Sequence, residues 1–128
     1  MKLLLDTHTF LWFCQDDPAL SANAKTLLED ARHLKLVSIA SCWEIAIKAG
    51  LGKLTLGESS ASYLTNALDR TGFELLPIDL SHATSVELLP LHHKDPFDRL
   101  LIAQAMPENV SLVSADSAFD SYGVNRIW

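Results

Sequence analysis

The sequence has few cysteines and no long apolar run. Cys14 and Cys42 stand alone among apolar residues, without the paired spacing of a zinc site. We expect both to be reduced, buried thiols. No apolar stretch is long enough to cross a bilayer, and residues 3–5 are too short for the core of a signal peptide. The expectation is a soluble, cytoplasmic protein that makes no contact with a membrane.

Positive charge is also scarce: 10 lysines and arginines face 16 aspartates and glutamates, and the formal net charge is −6. Phosphate binding usually relies on clustered Lys and Arg, so the balance argues against a broad nucleic-acid-binding surface. A cation bound at an acidic site would locally reverse the field of that site and leave room for a modest basic rim. The candidates for that rim, each of which alone reads as a surface charge, are Lys48, Lys53, Lys94, Arg99 and Arg126.

There is no repeat, low-complexity tract or linker, and 48% of the 128 residues are apolar, which predicts a single domain over residues 1–128. Apolar patterns predict strands that alternate with helices, and hence an α/β fold with a mostly parallel sheet covered on both faces. The predicted strands are 3–5, 34–39, 73–78, 110–113 and, at an edge, 124–128. The predicted helices are 21–34, 41–50, 58–70, 81–89, 97–106 and 117–122.

Local signals suggest how several helices begin and end. Ser41 and Glu44 form a capping-box pattern at the start of one helix, and Gly50 is placed to end it in the left-handed conformation. Ser81 is the expected N-cap of a later helix. Residues 10–13 are apolar enough to be a short helix or a partner-facing surface.

Four acidic residues fall where a strand gives way to a loop or where a helix begins. Asp6 follows the first strand, Asp116 follows the fourth, and Glu44 and Asp98 lie in the first turns of apolar helices. In an α/β sheet the carboxyl ends of parallel strands share one edge, so these side chains can converge. Convergent carboxylates repel one another unless a cation lies among them. The pattern predicts a site for a hard divalent ion.

Each acid also has a purely structural explanation. Asp6 and Asp116 are suitable N-caps for the helices that follow them, and Glu44 can pair with Lys48 one turn later. Asp98 lies three residues after Asp95, again in a capping arrangement. Four repetitions of the same arrangement favour the metal site over four separate caps.

Four stretches in a fixed order resemble PIN-domain ribonucleases, specifically the VapC-type toxins of bacterial toxin–antitoxin pairs. They are LLLDTH at 3–8, VSIASCWEIAIK at 37–48, DPFDRLLIAQA at 95–105 and LVSAD at 112–116. The resemblance covers nearly the whole chain and implies a three-layer α/β/α sandwich. It also implies a Mg²⁺- or Mn²⁺-dependent endoribonuclease that a cognate antitoxin holds inactive, and a homodimer.

Carried over from the family, the acidic cluster corresponds to Asp6, Glu44, Asp98 and Asp116. Asp98 is the expected third acid, since the helix follows it in the family register, with Asp95 as the alternative. The family often has Thr where this chain has Ser114, which keeps the hydroxyl group. Mg²⁺ prefers oxygen ligands, so Asp6 and Asp98 are interpreted as direct or near-direct ligands. Asp116 is interpreted as completing or ordering the site, and Glu44 as holding or deprotonating the attacking water.

The three histidines near the motifs, His8, His92 and His93, are not spaced as metal ligands within one helix, and a His-His pair in a loop is more often surface than catalytic. We therefore do not expect them to take part. Residues 10–13 are a candidate wall of an apolar groove for an antitoxin segment.

Two other functions fit parts of the sequence. In a phosphatase of the haloacid-dehalogenase type Asp6 would be the nucleophile, but His8 stands where the second acid is expected, which removes the general acid. In a non-catalytic interaction module all four acids would be helix caps. The second alternative predicts no binding of divalent ions.

Overall fold

The computed structural model describes residues 1–128, which form five strands and six α-helices. The strands are β1 (Lys2–Leu5), β2 (Leu34–Ser38), β3 (Glu74–Leu76), β4 (Ser111–Val113) and β5 (Arg126–Ile127). The helices are α1 (Thr7–Cys14), α2 (Ala22–Glu29), α3 (Ile39–Gly50), α4 (Ser60–Thr71), α5 (Leu80–Ser85) and α6 (Pro96–Glu108). Two 3-10 helices cover Val86–Leu88 and Ser117–Tyr122.

The five strands form one sheet in the order β3-β2-β1-β4-β5, and every neighbouring pair is parallel. The central strand β1 places Leu5 opposite Val37 on one side and Val113 on the other. The prediction of an α/β fold with a mostly parallel sheet is confirmed, and β5 lies at the edge where the sequence put it.

Two hydrophobic clusters cover the two faces of the sheet. Because successive side chains of a strand point to opposite faces, Leu3 and Leu5 pack with α1 and α2, whereas Leu4 packs with Leu101 and Ile102 of α6. All five side chains are fully buried. The layers are therefore helix, sheet and helix, as expected. Every helix falls short of the length and apolarity that a bilayer crossing would require.

The second helix is shorter than its apolar pattern indicated. The sequence predicted a helix over 21–34, but α2 ends at Glu29. Asp30 has an extended backbone, and its carboxylate accepts hydrogen bonds from the backbone N–H and the guanidinium of Arg32. These bonds form a turn that competes with the helix, so the chain enters β2 at Leu34.

The two serines predicted as helix caps, Ser41 and Ser81, both lie inside their helices. Ser38, not Ser41, caps α3 and accepts the N–H of Ala40, so Ser41 and Glu44 lie inside the helix and form no capping box. Likewise Asp79 precedes α5, whose first turn already contains Ser81. Helix α3 does end at Gly50, but the left-handed residue is Gly52.

Candidate active site

The sheet order creates a switch point beside the central strand. From β1 the chain moves to β2 and β3 on one side, and the later strands β4 and β5 lie on the other. In open α/β sheets ligands bind at the carboxyl ends of the strands where this order reverses. Asp6 directly follows β1 and Asp116 lies three residues after β4. Both acids are therefore at the position where the fold forms a crevice.

Asp6 is buried and both of its carboxylate oxygens are engaged. Oδ1 accepts the backbone N–H of Thr9 at 2.9 Å, which caps α1, and Oδ2 accepts the hydroxyl of Ser114 at 2.5 Å. The Ser114 oxygen in turn accepts the backbone N–H of Asp116 at 3.0 Å. Ser114 thus connects the two loops that carry Asp6 and Asp116.

Glu44 lies within α3 and is only 4% exposed. Its Oε1 accepts the Thr7 hydroxyl and its Oε2 accepts the Lys48 ammonium, each at 2.6 Å. The hydrogen bond to Glu44 raises the pKa of Lys48, with further contributions from Asp95 and Asp98. The expected pair of Glu44 and Lys48 is present, but the carboxylate is buried and not on the surface.

Asp98 is the acid with the fewest partners. Asp95 is the N-cap of α6, in agreement with the capping arrangement predicted for Asp95 and Asp98. Its carboxylate accepts the N–H groups of Phe97 and Asp98. The Asp98 carboxylate accepts no hydrogen bond from backbone or hydroxyl, and its side chain is 19% exposed. Burial raises the pKa of Asp98 to about 7, and the negative charges of Asp95, Asp6 and Glu44 add to this effect, while His93 opposes it.

His93 brings Asp98 and Asp116 together. Its Nε2 is hydrogen-bonded to Oδ2 of Asp116 at 3.1 Å and lies 3.1 Å from Oδ2 of Asp98. One ligand atom from each of the three residues lies within 4.8 Å of the other two. Asp6 and Glu44 lie outside this set. Asp6 is connected to Asp116 through Ser114, and Glu44 is connected through Thr7 to the first turn of α1, which Asp6 caps.

The sequence did not identify His93 as part of this cluster. His8, His92 and His93 lack the spacing of metal ligands within one helix, so the sequence alone argues against all three. A usable signal was the position of His93 five residues before Asp98, in the loop that leads into α6. His8 and His92 are exposed, and their rings pack against Trp12 and Tyr122 respectively.

The chemistry of these side chains fits a divalent cation. The acids offer carboxylate oxygens, which Mg²⁺ and Mn²⁺ prefer, and there is no thiolate among them. Asp98 is largely buried near other carboxylates and lacks a hydrogen-bond donor apart from the contact with His93. A bound cation would offset this repulsion.

Only part of the expected basic rim remains available. Arg99 donates to the carbonyl oxygens of Val86, Leu89, Pro90 and His93, so it does not face the acids. Arg126 is paired with Asp120 and with the Ser114 carbonyl. Lys94 is exposed, and two further lysines line a cavity of about 320 Å³ beside Glu44. The residues that line it are Thr7, His8, Leu11, Ile45, Lys48, Lys53 and Leu54.

Residues 10–13 lie in helix α1 and belong largely to the core. Phe10 is fully buried, Phe13 packs against Phe73 at 5.1 Å between ring centroids, and Trp12 packs against Trp128 at 5.9 Å. Phe10 therefore cannot form the wall of an open groove. Trp12 and Phe13 are partly exposed.

Comparison with known proteins identifies the same family as the motifs. The chain is 42% identical to Ribonuclease VapC16 of Mycobacterium tuberculosis (strain ATCC 25618 / H37Rv) over 69 residues, which cover 51% of this chain and 49% of the relative. The match thus spans about half the length of that protein.

Solved structures share the fold over nearly the whole chain. VapBC2 from Rickettsia felis, bound to a DNA fragment from its promoter, has a TM-score of 0.73 at 19% identity and covers 99% of this chain and 98% of its own. DNA-bound VapBC from Salmonella typhimurium has a TM-score of 0.70 at 16% identity, with coverage of 100% and 97%. The PIN domain family model matches residues 3–125. The chain belongs to the PIN domain family.

Proposed function

We propose that this protein is a Mg²⁺-dependent endoribonuclease, with Mn²⁺ as the alternative ion, and that it acts as the toxin of a toxin–antitoxin pair. Its similarity to a protein named Ribonuclease VapC16 supports RNA as the substrate. The proposed ligands are Asp6, Asp98 and Asp116, with Glu44 at the flank of the site. A bound Mg²⁺ supplies a Lewis acid that activates water and stabilises charge on the phosphoryl oxygens.

The observation that carries the proposal is the environment of Glu44 and Asp98. Asp6, Asp95 and Asp116 all cap helices, and capping alone would explain their positions. Glu44 and Asp98 cap nothing, yet both are largely buried and the Asp98 carboxylate lies close to other acids. Lys48 and Thr7 compensate Glu44, but a protein that only needed helix caps would gain no stability from Asp98, because burying a charge without compensation is unfavourable.

The hydrogen bonds around the acids suggest separate roles. Thr9, Ser114 and Thr7 hold Asp6 and Glu44 in fixed orientations, as the supporting groups of metal sites usually do. Glu44 keeps lone pairs to accept a hydrogen from the attacking water, while Lys48 balances its charge. Lys48 contacts Glu44 and Lys53 lines the same cavity as Lys48, where a phosphate of the RNA backbone would approach.

The phosphatase alternative gains no support. His8 is exposed and packs against Trp12, so no general acid stands two residues after Asp6. The chain's membership of the PIN domain family also speaks for nuclease chemistry.

Partners follow from the similarity and from one exposed surface. Structures of VapBC complexes share this fold, which supports a cognate antitoxin as partner. Helix α3 and the residue that follows it carry an apolar stripe whose members are spaced by four residues, and all of them are at least 37% exposed. The stripe consists of Ile39, Trp43, Ile47 and Leu51. We assign it to a homodimer contact.

The test is cleavage of a structured RNA by the purified protein in Mg²⁺, in Mn²⁺ and in EDTA. We expect cleavage only with a divalent ion, and a loss of at least roughly 100-fold for Asp6→Asn and Asp98→Asn, which remove charge with little change of shape. The matched control is Asp69→Asn on the exposed face of α4. Cleavage in EDTA, or full activity of the Asp6→Asn variant, would refute the proposal.

A further inference from the structure

The loop before α6 holds His93 against two acids of the candidate site. Its side chain is 15% exposed, its Nε2 is hydrogen-bonded to Asp116 at 3.1 Å, and the same atom lies 3.1 Å from Asp98. A histidine in this position has two possible roles. It either binds the cation through Nε2 or donates a hydrogen bond from Nε2 to the carboxylates.

The second nitrogen of the ring distinguishes the two roles. The backbone N–H of Asp95 donates to Nδ1 of His93 at 3.2 Å, so Nδ1 is an acceptor and carries no hydrogen. The hydrogen of the neutral ring is therefore on Nε2. A nitrogen that carries hydrogen has no free lone pair for a metal. Histidines that bind metals instead donate their other N–H to a neighbouring acceptor, which is the reverse of the arrangement at His93.

Contacts from two other elements fix the position of this ring. The Tyr122 hydroxyl accepts the backbone N–H groups of His92 and His93 at 3.0 and 2.7 Å, and donates to the Pro90 carbonyl at 2.8 Å. Arg99 donates to the His93 carbonyl at 3.3 Å. The ring itself packs against Phe119 with 5.6 Å between centroids. The ring Nε2–H of His93 is thus oriented before any ligand binds.

We propose that His93 is a positioning residue of the metal centre, which donates its Nε2–H to Asp116 beside Asp98 and holds the two carboxylates side by side without binding the ion. This inference rests on the proposed function. The Nε2–H of His93 reduces the repulsion between the two acids and is hydrogen-bonded to Oδ2 of Asp116. Oδ1 of Asp98 has no hydrogen-bond partner and is available to a cation. Groups that orient ligands in this way typically change metal affinity by roughly 10- to 100-fold.

The experiment measures Mn²⁺ affinity by electron paramagnetic resonance, without RNA. We expect His93→Ala to weaken binding by roughly 10- to 100-fold. His93→Gln should recover most of the affinity, because its amide N–H reaches about as far as Nε2, whereas the shorter His93→Asn should not. His92→Ala is the matched control and should bind as the wild type does, since its exposed side chain contacts no acid.

A second measurement separates positioning from direct binding. In the Mn²⁺-loaded wild type, electron spin echo modulation should show no strong coupling to an imidazole nitrogen. Such a coupling, or equal Mn²⁺ affinity of His93→Ala and the wild type, would overturn the inference and leave the proposed function standing. A wild type that binds no Mn²⁺ would overturn the proposed function as well. If His93→Ala does not fold, the comparison of His93→Gln with His93→Asn decides.

Discussion

At the scale of single residues, the ionised Asp98 carboxylate lowers the free energy of unfolding, and a bound cation would relieve this effect. Its raised pKa means that the folded protein keeps a proton on Asp98 at pH values where the unfolded chain has lost it, between 3.8 and about 7. The folded state then binds more protons, so the free energy of unfolding falls as pH rises through this window and stays low above it.

Replacing Asp98 should therefore stabilise the metal-free protein. In EDTA at pH 8 we expect Asp98→Asn to raise the free energy of unfolding by roughly 1 to 3 kcal/mol, and to have a much smaller effect at pH 4. Denaturant unfolding at both pH values measures this, with Asp69→Asn as control. A variant that is no more stable than the wild type at pH 8 would show that the acids repel one another less than the structure indicates.

The two cysteines should react slowly. Both are half-buried free thiols; burial raises the pKa of Cys14 to about 11 and also raises that of Cys42. Because the thiolate is the reactive form, alkylation by iodoacetamide at pH 8 should be at least about tenfold slower than for glutathione. Mass spectrometry of timed samples checks this, and the same reagent should label both residues rapidly in urea. Rapid labelling of the native protein would contradict the burial described for the two thiols.

The sequence predicts where Asp6 and Asp116 lie in the fold better than it predicts where His93 lies. Asp6 and Asp116 were identifiable because a strand precedes each of them, and the sheet then determines where they lie. The orientation of the His93 ring depends on Phe119, which packs against it, and on Tyr122, which holds its backbone, and both residues are distant from it in the sequence. No local pattern encodes that orientation.

At the scale of elements, the apolar pattern predicted the order of the strands and of most helices, but it left residues 10–13 open between a helix and a surface and missed several boundaries. Serines occur both before and within the first turn of α3, and the backbone conformation selects Ser38 as the cap. The same ambiguity made Ser81 look like a cap in place of Asp79. Turns formed by side chains, such as Asp30 with Arg32, end helices that apolar spacing alone would extend.

The junction between the loop at 90–95 and the last 3-10 helix should depend strongly on one hydroxyl group. Tyr122→Phe removes the acceptor for two backbone N–H groups and the donor to Pro90, in a residue only 7% exposed. We expect a loss of roughly 1 to 3 kcal/mol in the free energy of unfolding. Thermal and urea unfolding measure it. Tyr63→Phe is the control, because the Tyr63 hydroxyl binds no backbone N–H group and its removal should cost less.

At the scale of the whole molecule, the apolar stripe on α3 is the clearest unpartnered surface. Trp43 is 60% and Leu51 64% exposed, although monomeric proteins rarely expose such residues in a continuous row. If the stripe forms a homodimer contact, Ile47→Glu should shift the protein to monomer, with at least about a tenfold weaker dimer. Light scattering after size-exclusion chromatography measures this. Met106→Glu, at an exposed position outside the stripe, should leave the dimer intact, and a monomeric wild type would refute the assignment.

The order of the strands along the chain also governs when the candidate site can form. The central strand β1 is synthesised first, yet one of its two neighbours is β4, which carries Ser114 and Asp116 towards Asp6 only in the last fifth of the sequence. Because synthesis proceeds from the amino terminus, a nascent chain still missing β4 has an unpaired edge on β1 and two of the acids absent or unsupported. If the protein cleaves RNA as proposed, a nascent chain that has not yet produced β4 should therefore have no activity.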